Sequence, residues 1–150
     1  MPRIARPDPA ATDECLAWRE KEFQKHVLAL AESYGWSLRY HSYFSDRSEK
    51  GFPDLYMIRV STGQAIAAEM KTMRGRLSAQ QEAWLEALRA HEQAVRAASD
   101  VAAAPLFAAY LWRPCCWLSG EIDAALRMPR SRRATSTART RARRPADPAS

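Results

Sequence analysis

Two short stretches hold residues whose types and spacing could do chemistry, "EKGFPDLYMIRV" at residues 49–60 and "IAAEMKT" at residues 66–72. Asp54 stands between Pro53 and the apolar run Leu55-Tyr56-Met57-Ile58, where an unpaired carboxylate would lose several kcal/mol of hydration. If Val60 and Gly63 flank a hairpin turn, opposed residue numbers sum to 123 and Asp54 faces Glu69, with Lys71 two residues on along the same face. A sum of 125 would put Asp54 opposite Lys71, and the trio would still share a face. Two neighbouring carboxylates repel unless a cation lies between them, and hard divalent ions prefer oxygen ligands. Mg²⁺ keeps several waters and is held by one or two carboxylates and a phosphate oxygen, where it can polarise a phosphodiester and acidify a bound water. A lysine beside such a site can orient that water or stabilise charge developing on the phosphate.

A third acid belongs to the first helix. Its apolar stripe, Leu16, Glu20, Phe23, Val27, Leu30, contains one charged member, and Glu20 would face the sheet with Gln24 one turn further on. Glu22 falls beside Trp18 and His26 at helical spacing, away from that stripe. Each feature has an ordinary explanation too. Glu-x-Lys alone is a weak signal, Pro-Asp is common turn chemistry, and Asp54 with Lys71 could be a plain ion pair. Gln81, three residues after Ser78, completes a capping box. None of these explains why the charged exceptions converge on one end of the sheet.

The elements that must position these residues can be read in order. Thr12 or Asp13 can cap a helix running to about Tyr34, with Gly35 past its end. "WSLRYHSYF" (36–44) alternates as a strand does and "SDRSEKG" (45–51) is a polar loop. Strands from Asp54 to Val60 and from about Gln64 to Lys71 form the hairpin, with Gly63 able to take the positive φ of a short turn. Both faces of the hairpin are apolar, which predicts central strands covered on both sides. The basic loop "TMRGRL" leads to a long helix capped by Ser78, with Trp84, Leu85, Leu88 and Val95 on its inward face. "LFAAYLW" (106–112) is a fourth strand and "WLSGEIDAAL" a short final helix. The predicted fold class is α/β, in α-β-β-β-α-β order with a short C-terminal helix.

The chain of 150 residues fits one domain, expected over residues 13–126, between a flexible Pro-rich lead (1–12) and a disordered basic tail (127–150). That tail holds eight Arg and one Asp, +7, so the other residues sum to about −1 against the total of +6. The tail can hold a polyanion in a salt-dependent way, or can be an extension with no role. No apolar run has the length of a membrane span and the N-terminus lacks a secretory apolar block, so the expected location is cytoplasmic, with no membrane partner. Cys15, Cys115 and Cys116 suit neither a disulfide nor a zinc site and read as free thiols.

"EKEFQ", His41 followed by Pro53-Asp54-Leu55, "AAEMK", "GRLSAQQEAWLEAL" and "YLWRP" occur in an order that resembles the VRR-NUC domain over roughly residues 17–126. VRR-NUC is a branch of the PD-(D/E)xK nuclease superfamily found in phage and bacterial proteins and in a eukaryotic DNA repair nuclease. The resemblance implies a PD-(D/E)xK, restriction-endonuclease-like core and Mg²⁺- or Mn²⁺-dependent cleavage of DNA, branched or structured DNA included. It implies Asp54, Glu69 and the backbone carbonyl of Met70 as metal ligands, and Lys71 as the catalytic lysine. It also carries over Glu20 as the first-helix acid and Gln81 as a glutamine close to the active site. Small relatives often need a partner subunit, which makes a homodimer or second subunit an expected partner beside DNA. The sequence departs from the family pattern at Cys115-Cys116, before Trp117, which bears on the last helix and not on the chemistry.

Two other readings compete. One is a non-catalytic nucleic-acid-binding module using Lys50, Arg74, Arg76 and the tail for phosphates; the other is an interaction domain with ordinary ion pairs. Buried acids facing a polyanion favour the nuclease, because their repulsion of phosphate is tolerable only with a metal present.

Overall fold

The structure, a computed structural model, describes residues 9–41, 49–99 and 106–128. Its elements are α1 (Pro9–Leu16), α2 (Glu20–Ser33), β1 (Leu38–His41), β2 (Leu55–Arg59), β3 (Gln64–Met70), α3 (Ala79–Ala98), β4 (Phe107–Trp112), α4 (Pro114–Leu118) and α5 (Glu121–Arg127). One sheet runs in the order β1-β2-β3-β4, antiparallel across the first two pairs and parallel between β3 and β4. A parallel pair needs a long crossover, which α3 supplies. The mixed α/β class and the strand and helix order agree with the sequence reading.

The hairpin register is the one whose residue numbers sum to 123, with Leu55 opposite Ala68 and Arg59 opposite Gln64. Gly63, at φ 73, closes the turn. On one face of the sheet Leu55, Met57, Ile66, Ala68 and Met70 meet Phe23, Val27 and Ala31 of α2 and Ile122 and Leu126 of α5. Each such large side chain taken from water contributes roughly 1.5–3 kcal/mol. On the other face Ala67, Phe107 and Ala109 pack with Leu88 and Val95 of α3.

Several expectations need correction. The first helix is two helices, with Arg19 in extended backbone between them. The break lets Trp18 stack on His26 (ring centroids 4.1 Å apart) and meet Trp117 edge-on at 5.6 Å, so tertiary packing of α1 beside α4 overrides a continuous helix. Helix α1 starts at Pro9, so residues 9–12 are helical and not a lead; residues 1–8 lie outside the described residues. The buried stripe of α2 is Phe23, Val27 and Ala31, with Leu30 half-buried. Of the two hairpin strands, β3 is covered on both faces and β2 on one: α3 lies over β3 and β4, leaving Tyr56 and Ile58 of β2 half-buried and Leu38 and Tyr40 of β1 exposed. The final helix is also two pieces, separated at Ser119-Gly120. Residues 42–48, which hold the end of the first predicted strand and most of the next loop, lie outside the described residues. So does the tail beyond Met128.

Arg59, buried at the end of β2, fixes α5 to the sheet. Its guanidinium lies 4.7 Å from the Trp36 ring centroid and donates to the carbonyls of Met128 (3.0 Å) and Leu126. These are terminal carbonyls that the helix cannot satisfy internally, and a cation there also complements the helix dipole. The cysteines are free thiols, Cys15 buried, Cys116 half-buried and Cys115 exposed. Among the described residues, no helix is long and apolar enough to cross a membrane.

Candidate functional site

The hairpin register, extended by one pair, sets Asp54 opposite Glu69 at the end of the sheet where β4 also ends. Asp54 Oδ2 accepts a hydrogen bond from the Met70 N–H at 2.9 Å. Glu69 is 1 % exposed and belongs to a strand hydrogen-bonded on both sides, so its carboxylate cannot swing into solvent. Glu69 Oε1 accepts from Gln81 Nε2 at 2.6 Å and lies 3.4 Å from Lys71 Nζ. The Lys71 ammonium lies 3.6 Å from Glu20 Oε1 on its other side. The Lys71 side chain is 12 % exposed and that of Glu20 44 %, so the lysine is confined and the helix acid marks the open side.

Local structure explains these positions. The Lys71 N–H donates to the Trp112 carbonyl at 3.0 Å, extending the β3–β4 ladder one residue and fixing the lysine backbone. The break at Arg19 makes Glu20 the first residue of α2, above the sheet end, while Glu22 is exposed. The N-terminus of α3 carries the expected capping box, worth about 1 kcal/mol. It has a second consequence. Gln81 Oε1 accepts from the Ser78 N–H at 2.9 Å, which turns the amide so that its Nε2 faces Glu69. The loop before Asp54 is docked on the same helix end: Trp84 Nε1 donates to the Lys50 carbonyl at 3.2 Å, and the Phe52 and Trp84 rings meet edge-on at 5.2 Å. Gly51, at φ 85, sits so close to α3 that a Cβ there would lie 2.5 Å from the Gln80 backbone, so no other residue fits.

The electrostatics are those of acids crowded together. Burial raises the Asp54 pKa, assisted by the Glu20 charge and opposed by the Met70 N–H and by Lys71. Glu69 is pushed up to about 7, first by burial and then by the Asp54 charge, against the pull of Lys71. Glu69 Oε2 is buried without a hydrogen-bond partner. A carboxylate pair that resists ionisation, with one oxygen unsatisfied, is what a divalent cation would relieve. The donor set fits an ion held by two carboxylates and completed by water and phosphate, as Mg²⁺ prefers. Among the described residues no three His, Cys, Asp or Glu side chains are grouped to hold a metal, so Glu20 meets Lys71 and does not complete a three-acid cage.

Asp54, Glu69, Lys71, Glu20 and Gln81 are thus brought together, with Met70 contributing its backbone between the two acids. Lys50, Arg74 and Arg76 are exposed on the loops flanking this end of the sheet. Sequence reading missed Arg113, whose Nη1 donates to the carbonyls of Thr72 (2.6 Å) and Gly75 (2.7 Å). The only signal was its place in "YLWRP"; nothing in that motif says which loop it reaches. Sequence reading placed Gln81 in the capping box and, by resemblance, close to the active site, but did not give its hydrogen bond to Glu69.

The sheet end and its side chains define an α/β protein with paired carboxylates and a lysine at one site. A family profile described as VRR-NUC domain matches residues 13–102, and the chain belongs to that family, a family of nuclease-type domains. The match takes in every site residue from Glu20 to Gln81, while β4, α4 and α5 lie beyond it. A comparison with curated proteins and one with solved structures each found no match.

Proposed function

We propose that this protein is a divalent-metal-dependent nuclease that hydrolyses DNA phosphodiesters, with a PD-(D/E)xK type of core. The observation that carries the reading is the buried Glu69 carboxylate, facing Asp54, with Oε2 unsatisfied and Lys71 Nζ 3.4 Å from Oε1. Asp54 and Glu69 would hold Mg²⁺ or Mn²⁺, with the Met70 carbonyl as a further ligand, and the ion would polarise the phosphate and acidify a water. The chain's own groups then have distinct tasks. Asp54 and Glu69 supply negative charge in fixed positions, which requires both to be ionised. Gln81 fixes the Glu69 carboxylate through Oε1 and leaves Oε2 free to bind. Lys71 directs its ammonium to the place where negative charge grows as water adds to phosphorus and the P–O bond to the leaving oxygen breaks. Glu20 holds that ammonium from the open side. Lys50, Arg74 and Arg76 are exposed cations suited to the flanking phosphates.

The non-catalytic binding module gains nothing from this geometry, since a buried acid pair repels a polyanion. The test is cleavage of a panel of linear, nicked, flapped and four-way-junction DNAs with Mg²⁺, Mn²⁺ or EDTA. Metal-dependent cleavage of at least one substrate is expected. Binding without cleavage under any metal would favour the binding module.

A further inference from the structure

We propose that Arg113 is a positioning residue that confines the Lys71 side chain, acting through the backbone of Gly75. Its effect on rate rests on the nuclease reading; its effect on Lys71 itself does not. One guanidinium nitrogen of Arg113 gathers two carbonyls of the same short loop, Thr72 at 2.6 Å and Gly75 at 2.7 Å. The loop is also drawn closed by the Gly75 N–H donating to the Thr72 carbonyl at 3.3 Å. So gathered, the Gly75 backbone lies against the lysine stem: a Cβ at this position would lie 3.3 Å from Lys71 Cδ and 3.1 Å from Thr72 Oγ1. Glu69 and Glu20 hold the ammonium, and Gly75 closes on the stem so nearly that a single added carbon would crowd it, beside a lysine side chain that is 12 % exposed.

Arg113 is well placed to act as a fixed clasp. Its backbone follows β4 and precedes Pro114, the first residue of α4, and is held extended at φ −126, ψ 162. The residue before a proline is restricted to this region, so the guanidinium is presented from a stiff base. No side chain among residues 72–76 is fully buried, and Arg74 and Arg76 are exposed. A charge-assisted pair of hydrogen bonds is therefore a large part of what fixes the loop. A lysine at this position would offer an ammonium on a flexible stem in place of the planar fork.

Three variants and two measurements test the proposal. In the metal-free protein, acylation of Lys71 by an N-hydroxysuccinimide acetate reagent is followed by peptide mass spectrometry, with exposed Lys21 and Lys25 as internal references. Separately, the single-turnover cleavage rate at saturating Mn²⁺ and DNA is compared with DNA affinity in Ca²⁺. Arg113→Met should raise Lys71 acylation several-fold and lower the rate by about 10–100-fold, since displacements near 1 Å at a reacting centre have effects of that order. DNA affinity should change little. Arg113→Lys should fall between wild type and Arg113→Met on both measurements. Gly75→Ala leaves the clasp but crowds Lys71, so the rate should drop with no rise in acylation. Unchanged Lys71 acylation in Arg113→Met overturns the proposal; should that variant not fold, Arg113→Lys decides in the same way. Loss of DNA affinity with the rate intact would make Arg113 a phosphate contact and likewise overturn it. A wild-type protein that cleaves no DNA sinks the nuclease reading, and the acylation measurement still decides the clasp.

Discussion

Gln81 Nε2 lies 2.6 Å from Glu69 Oε1, so the residue that caps α3 also holds a buried carboxylate of the central strand. The amide cannot flip without losing the Ser78 N–H bond to its Oε1. Helix capping and site geometry are therefore coupled. Gln81→Glu could keep the box acceptor but would set a second carboxylate against Glu69, and Gln81→Ala would lose both partners.

The acid pair should control metal binding. Asp54→Asn and Glu69→Gln remove charge and not volume, so both proteins should fold. Each should bind Mn²⁺ more weakly by calorimetry and cleave DNA at least about 100-fold more slowly, as expected when a metal that activates water is lost. Full activity in either variant would falsify the assignment of ligands.

The raised Glu69 pKa has a consequence for the metal-free protein. The folded state holds this proton up to about pH 7, whereas an unfolded glutamate releases it near 4.5. Folding therefore binds the proton more tightly. The contribution to stability is fully present below about 4.5 and is lost as pH rises through about 7. The loss is on the order of 3 kcal/mol for a fully buried group. In EDTA the protein should be less stable to urea at pH 8 than at pH 5, Glu69→Gln should flatten that difference, and Mg²⁺ should restore stability at pH 8. A wild-type profile that matched Glu69→Gln throughout would show that Glu69 ionises without penalty.

Glu20 and Glu22 should differ sharply. Glu20→Gln releases the ammonium of Lys71 on its open side and should slow single-turnover cleavage, whereas Glu22→Gln, exposed and away from the site, should leave it unchanged. Lys71→Ala should be more severe still, with DNA affinity in Ca²⁺ nearly intact, because its contribution grows toward the transition state. Lys71→Arg should rescue poorly, a planar fork being no substitute for a compact ammonium. If Lys71→Ala loses affinity and keeps its rate at saturation, the lysine is a phosphate anchor.

The tail should act on affinity alone. Met128 is buried and its carbonyl accepts from Arg59, so a truncation must begin after it. Deleting residues 129–150 removes seven arginines and should weaken DNA binding most at low salt, with a shallower dependence of log affinity on log salt. Unchanged cleavage positions are expected, because phosphate contacts carry no base information. A shifted cut site would show that the tail orients the substrate.

The sequence by itself determined the parts that depend on local pattern. Two apolar runs and a short turn at Gly63 specified the β2–β3 hairpin, and either register open to that turn puts Asp54, Glu69 and Lys71 on one face; the structure takes the one that sets Asp54 opposite Glu69. Ser78 and Gln81 specified the start of α3 through local hydrogen bonds. A charged residue in the apolar stripe of α2 pointed to Glu20, whose side chain meets Lys71. What the sequence could not carry were relations between distant segments. The break at Ala17–Arg19 follows from packing of α1 against α4 and of Trp18 against Trp117, contacts that span most of the chain. The half-burial of Tyr56 and Ile58 among the described residues follows from where α3 crosses. The reach of Arg113 back to Thr72 and Gly75 depends on β4 lying parallel beside β3, so that two strand ends remote in sequence finish side by side. Periodicity reports which face of an element is buried; only the assembled sheet decides which side chains from other elements arrive there.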